Sequence, residues 1–174
     1  MNRILKWELS GVLFVFLLGA LFHFVFEWSG ESPIVGAFAS VNESVWEHFK
    51  QGYFPMIIFM IVESRYLPSN KYNLFAAKAV AVYVIPVITA VVFYIYSSII
   101  GEEILIVDII IFAIAILVGQ LISYKILFSK PVSKRTNTIA LAFIFALGLI
   151  LITTTYFPPH LPIFEDATGF YGLP

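Results

Sequence analysis

The chain has 174 residues, of which 60% are hydrophobic and only 12% charged, whereas soluble domains are about half apolar and about a quarter charged. A core of this size cannot hide so much apolar surface from water, so the excess faces a lipid bilayer and a soluble globule is excluded. Ten Lys and Arg against eleven Asp and Glu give a net charge of -1, with no basic field for nucleic acid, and the absence of Cys excludes disulfides, thiolate metal sites and cysteine nucleophiles.

Crossing the hydrocarbon layer takes about 20 mostly apolar residues. Five runs are expected to cross, at about 9–28, 52–66, 74–99, 104–128 and 136–156. The second is the shortest, and its upstream continuation from Ser44 to Gln51 is amphipathic, which predicts a helix that begins outside the apolar layer. The expected fold is all-α: a polytopic integral membrane protein built as one five-transmembrane-helix bundle. Residues 29–51 form an outer loop with an amphipathic helix, and residues 157–174 form an outer tail that Pro158, Pro159 and Pro162 hold extended. Gly11 and Gly19 in the first run suit close helix packing, while Pro55 and Pro86 each remove a backbone donor and predict kinks.

Lys and Arg in short loops stay on the cytoplasmic side. Arg3 and Lys6, then Arg65, Lys71 and Lys78, then Lys125, Lys130, Lys134 and Arg135 mark three inner regions. Glu31, Glu43 and Glu47 with Lys50, then Glu102, Glu103 and Asp108, then Glu165 and Asp166 mark the outer ones. The N-terminus is therefore expected inside and the C-terminus outside, in a multi-pass protein of the cell membrane. Residues 1–20 also have the basic start and apolar run of a secretory signal, but the run is long and continues to His23 and Glu27 without a small-residue cleavage site, so a retained helix is expected.

All three histidines, His23, His48 and His160, fall on the outer side with Glu27, Glu43, Glu47 and Asp166. His23 and Glu27 are four apart and share a helix face. They can form an interfacial pair near the headgroups or point into the bundle, where ionisable groups mark functional sites. In the segment from Ser40 to Lys50, Ser40 and Glu43 have capping-box spacing, with Asn42 as a competing cap. Glu43, Glu47 and Lys50 then share one helix face, which either faces water, with Trp46 as interface anchor, or faces His23 and Glu27 across the first hairpin. In the second case the tail lays His160 over the mouth of the pocket. The candidate catalytic residues are His23, Glu27, Glu43 and Glu47; the candidate ligand-binding residues are Asn42, Trp46, Lys50 and Tyr156. His23, His48 and His160 are the candidate metal ligands, a set compatible with zinc, iron or manganese. His48 follows Glu47 directly, so the two cannot point the same way. No H-E-x-x-H pair, nucleophile elbow or phosphate-cradling glycine loop is present.

The stretches Glu27-Trp-Ser-Gly30, Val41-Asn-Glu-Ser-Val-Trp-Glu-His48 and Tyr156-Phe-Pro-Pro-His160 resemble the signature of a family of small, uncharacterised multi-spanning membrane proteins of bacteria and archaea. That resemblance brings no activity with it. A second resemblance, resting on His23, Glu27, Trp46, Glu47 and Lys50, is to the emopamil-binding-protein (sterol isomerase) superfamily. It implies proton transfer by a His/Glu pair to and from a lipid-like substrate, with a further acid from the next helix, for which Glu63 is the candidate. Three functions follow as alternatives. The first is a membrane-embedded enzyme with an outer pocket, metal-dependent or acid–base, acting on a lipid-like or small apolar ligand. The second is a small-solute or ion transporter, for which polar residues at depth are few beyond Gln120, Ser123 and Tyr124 near the inner side of the fourth span. The third is a non-catalytic lipid-binding or assembly protein.

Overall fold

The computed structural model describes residues 3–67 and 71–174; the side chain of Lys71, one of the inner charges, lies outside the described residues. The regular elements are α1 (Arg3–Trp28), α2 (Pro33–Gly36), α3 (Val45–Tyr66), α4 (Lys71–Ile100), α5 (Leu105–Leu127), α6 (Lys134–Tyr156) and a 3₁₀ turn at Pro162–Phe164. Each expected apolar run falls on one long helix, and α3 continues without a break through the amphipathic stretch upstream of its run.

Among the described residues four helices, α1, α4, α5 and α6, are long and apolar enough to cross a membrane. The expected fifth, α3, falls short by composition because it carries Glu47, Lys50, Glu63 and Arg65. The physical reason is its position. Eleven of its 22 residues are buried, and α1, α4 and α6 all pack on it, so Glu47, Lys50 and Glu63 meet protein, while Arg65 in the last turn is exposed. The four apolar helices are turned the other way: only 22% to 33% of each spanning stretch is buried. Leu9, Leu13, Leu17, Leu21, Phe24 and Trp28 form an exposed stripe along α1, an outward apolar surface of the kind that suits lipid.

Close packing in the centre depends on missing side chains. Pro55 has no amide to offer the carbonyl of Gln51 one turn earlier. That freed carbonyl faces Gly19 of α1, where an added Cβ would lie 2.5 Å from it, so glycine is what lets α1 approach α3. At Gly11 an added Cβ would run into the Gln120 amide and come within 2.6 Å of the Phe59 ring. Val15, Met56, Ala77, Ala81, Ile116 and Leu151 are fully enclosed between these contacts.

The tail is more folded than the extended path its prolines predict. Pro162 opens the 3₁₀ turn, and Glu165 and Tyr171 then pair as an isolated antiparallel bridge. Asp166 closes the turn between them, accepting hydrogen bonds from Thr168 N (2.8 Å), Thr168 Oγ1 (2.7 Å) and Phe170 N (2.9 Å). Proline restricts φ but leaves the chain free to turn where an aspartate supplies the acceptors.

Candidate functional site

The start of α3 organises the outer end. Its N-cap is Ser44, whose Oγ accepts from Glu47 N at 3.3 Å; the cap expected at Ser40 or Asn42 thus lies a few residues later. Asn42 instead makes the preceding turn, its Oδ1 accepting from Ser44 N (3.0 Å) and its Nδ2 donating to Gly172 O (2.9 Å). Glu47 turns into the bundle, where its carboxylate accepts from Lys50 Nζ (2.6 Å), Val41 N (3.1 Å) and Thr155 Oγ1 (3.1 Å). Lys50, fully buried, spends its other two protons on Gly36 O (2.7 Å) and Ala39 O (3.2 Å). Trp46 Nε1 donates to Thr154 Oγ1 at 2.7 Å, and Tyr156 OH donates to Pro33 O at 2.6 Å. Glu47, Lys50, Trp46, Tyr156 and Asn42 therefore fasten loop, tail and α3 together, with their polar atoms engaged within the protein.

His48 leaves α3 on another side and meets His23 of α1. The two rings stack with centroids 5.3 Å apart, and Glu43 reaches both: its Oε1 is 3.5 Å from His23 Nε2 and its Oε2 is 3.4 Å from His48 Nε2. One donor atom from each of His23, Glu43 and His48 lies within 4.8 Å of the others. Glu27 lies beside this group, lining with His23, Glu43 and Asp166 a second cavity of about 440 Å³. His160 is elsewhere: it stacks on Tyr171 of the tail at 4.7 Å and lines neither cavity. The three histidines expected to share a metal are thus reduced to two, with Glu43 as the third donor, because the folded tail keeps His160 on its own turn.

Protonation in this group can be assigned from its partners. His48 Nδ1 is 2.7 Å from the Ser44 carbonyl, which only accepts, so Nδ1 bears a proton. Its Nε2 lies 3.4 Å from the Glu43 carboxylate, an ion-pair contact when that nitrogen is protonated. Burial pushes the His48 pKa down, but the Glu43 contact and the Ser44 carbonyl outweigh it and the net direction is up. The same His48 contact holds the Glu43 carboxyl below its ordinary value, against a smaller effect of burial. Gln51 fixes the other ring. Ser40 Oγ gives its proton to Glu47 O at 3.0 Å, so Gln51 approaches Ser40 Oγ (3.2 Å) with its amide nitrogen, and that nitrogen's other proton goes to His23 Nδ1 at 3.0 Å. His23 Nδ1 is an acceptor, and its Nε2–H points to Glu43. Sequence reasoning left Gln51 out, since no ionisable-residue pattern marks it.

This polar group sits at a cavity of about 650 Å³ between α1, α3, α4 and α5, within the usual range for small-molecule sites. The walls are largely apolar, with Phe16, Phe93, Phe112, Ile85 and Pro86 among them, and Thr89, Glu103 and Asp108 join His23, Glu43, His48 and Gln51 as its polar members. Asp108 accepts from Tyr96 OH at 2.6 Å.

A second polar group, at the opposite end of the bundle, was only partly visible in the sequence. Lys78, expected as an inner-loop charge, is fully buried in α4 and lies 2.8 Å from Glu8 of α1 and 2.8 Å from Glu63 of α3. Gln120 and Ser123 of α5 complete it. Glu63 therefore works with Lys78 and Glu8, about 20 Å along the helices from His23. The available signal was the placement of Glu8, Glu63 and Lys78 inside otherwise apolar helical runs.

The fold and sites define a helical protein with membrane-spanning character and a His/Glu cluster at one end of the bundle. The chain belongs to DUF6512, a family of unknown function, whose family model matches residues 1–173. No curated protein and no solved structure matches it. The expected uncharacterised family is thus found, while the likeness to the emopamil-binding superfamily has no counterpart among the matches.

Proposed function

We propose that this protein is a membrane-embedded acid–base catalyst whose His48–Glu43–His23 group moves protons on an apolar or lipid-like molecule held in the 650 Å³ cavity. The observation that carries this reading is the placing of Glu43 between two imidazoles at an apolar cavity, 3.4 Å from His48 Nε2 and 3.5 Å from His23 Nε2; in this reading His48 is an imidazolium, Glu43 a carboxylate and His23 neutral, a donor–acceptor–donor row. Such a row offers a proton from His48 and takes one at Glu43 without leaving an unpaired charge. In this reading all five long helices cross the bilayer, α3 because its polar side chains are partnered inside the bundle, and the charge distribution puts the N-terminus in the cytoplasm and the catalytic group at the outer side.

A second reading is favoured by the three donor atoms within 4.8 Å of one another: a divalent metal held by His23, Glu43 and His48. His48 suits it, since a ligating imidazole ordinarily donates its other N–H to a carbonyl. His23 opposes it, because the Gln51 amide donating to its Nδ1 leaves the neutral ring's proton on Nε2, the nitrogen that faces Glu43. Nitrogen NMR of labelled imidazoles separates the two. The acid–base reading predicts a doubly protonated His48 and an Nε2–H tautomer of His23, with no stoichiometric metal in elemental analysis. About one zinc, iron or manganese per chain, lost in His48→Ala, would reject it in favour of the metal.

A further inference from the structure

The inner polar group poses a question of charge. Glu8, Glu63 and Lys78 are all fully buried, so with every group ionised the site would hold a net negative charge away from water. An uncompensated buried charge is far more costly than taking up a proton. Which carboxyl takes it follows from counting hydrogens. Lys78 Nζ has three, and Glu8 Oε1 (2.8 Å), Glu8 Oε2 (2.9 Å) and Gln120 Oε1 (3.1 Å) accept them. Ser123 Oγ gives Glu8 Oε1 a further hydrogen bond at 3.1 Å. Glu8 is thereby equipped as an anion. Glu63 Oε2 is as close to Nζ, at 2.8 Å, but no ammonium hydrogen remains for it, and among the described residues neither Glu63 oxygen has a hydrogen-bond partner.

We propose that Glu63 is a proton-binding site, holding one exchangeable proton against the fixed Glu8–Lys78 pair. Among the described residues the groups that face it are Glu8 from α1 and Lys78 from α4, with Gln120 and Ser123 of α5 setting how that pair is bonded. Glu63 lies in the last turn of α3, its carbonyl accepting from Leu67 N at 3.0 Å, so the proton exchanges through the end of the bundle opposite the His/Glu group. Its release leaves two carboxylates on one ammonium and sets α3 against α1; the site links local pH to the packing of these two helices. This inference is independent of the chemistry assigned to the outer group.

The test is infrared spectroscopy of the full-length protein in lipid nanodiscs. The expected result is the carbonyl stretch of a protonated carboxylic acid at neutral pH, shifted by deuterium exchange, lost in Glu63→Gln and retained in Glu27→Gln. Glutamine has the shape and neutrality of the protonated acid, and the first arm needs no variant. A wild type without that band at neutral pH overturns the proposal. A band that survives Glu63→Gln and disappears in Glu8→Gln overturns the assignment to Glu63.

Discussion

Replacing Lys50 by Met removes an ammonium on which the outer end depends. Methionine follows the lysine stem closely, so little volume is lost. What changes is the partner set: the Glu47 carboxylate, 2% exposed, keeps Val41 N and Thr155 Oγ1 but loses its cation, and the carbonyls of Gly36 and Ala39 lose their donor. Breaking a buried ion pair from one side costs about 3–5 kcal/mol. At about 2–4 °C of melting temperature per kcal/mol for a protein of this size, the midpoint of thermal unfolding in detergent should fall by about 6–20 °C. Adding Glu47→Gln should restore part of the loss, because the uncompensated charge goes with it. A Lys50→Met midpoint within about 2 °C of wild type would refute the reasoning and show that the loop from Pro33 to Val41 is held by other contacts.

Other perturbations test separate links. Gly11→Ala places a methyl group against the Gln120 amide and the Phe59 ring, and this overpacking should cost about 1–3 kcal/mol by thermal unfolding; a neutral effect would mean that α1 and α5 are less tightly apposed. Trp46→Phe keeps a ring packed at a tilt against Phe164, 4.6 Å away in the wild type, but loses the bond to Thr154 Oγ1, at about 1 kcal/mol in the same assay. The Asp166 pKa is lowered: burial raises it, but the hydrogen bonds from Thr168 and Phe170 outweigh that. A depressed carboxyl pKa contributes stability above the unfolded-state value, lost as pH falls through the folded-state value. The tail turn should therefore keep its amide-exchange protection at Thr168 and Phe170 through the ordinary aspartate range and lose it only below; loss already in mildly acidic buffer would contradict this.

The helices were legible because lipid imposes a simple code: long apolar runs, with charge confined to their ends. Residues 74–99 could hardly be read otherwise, and they lie within α4. Where protein rather than lipid surrounds a helix, the code fails. The sequence of α3 reads as a short span with an amphipathic extension, yet the polar residues of that extension are its most deeply packed ones. Lys78 looked like a loop charge because periodicity places it on a helix but cannot say that Glu8 and Glu63, 70 and 15 residues away, would meet it. Of the outer candidates, His23, Glu43 and His48 converge because the hairpin between α1 and α3 is short enough for local reasoning. The position of His160 depended instead on a turn made by Asp166, and an aspartate acceptor in a tail carries no distinctive pattern. Gln51 went unread for a similar reason, since only the placement of Ser40 and His23 around it reveals that it sets a tautomer.

The central claim is that the outer cavity holds an apolar molecule beside the His48–Glu43–His23 group. Solvent extraction and mass spectrometry of protein purified in mild detergent test it most directly, using wild type, His48→Gln and Thr89→Trp, the last filling the cavity with an indole. About one amphiphilic molecule per chain is expected in wild type and in His48→Gln, with its loss in Thr89→Trp. A wild type that carries nothing beyond detergent, or equal retention in Thr89→Trp, would contradict it.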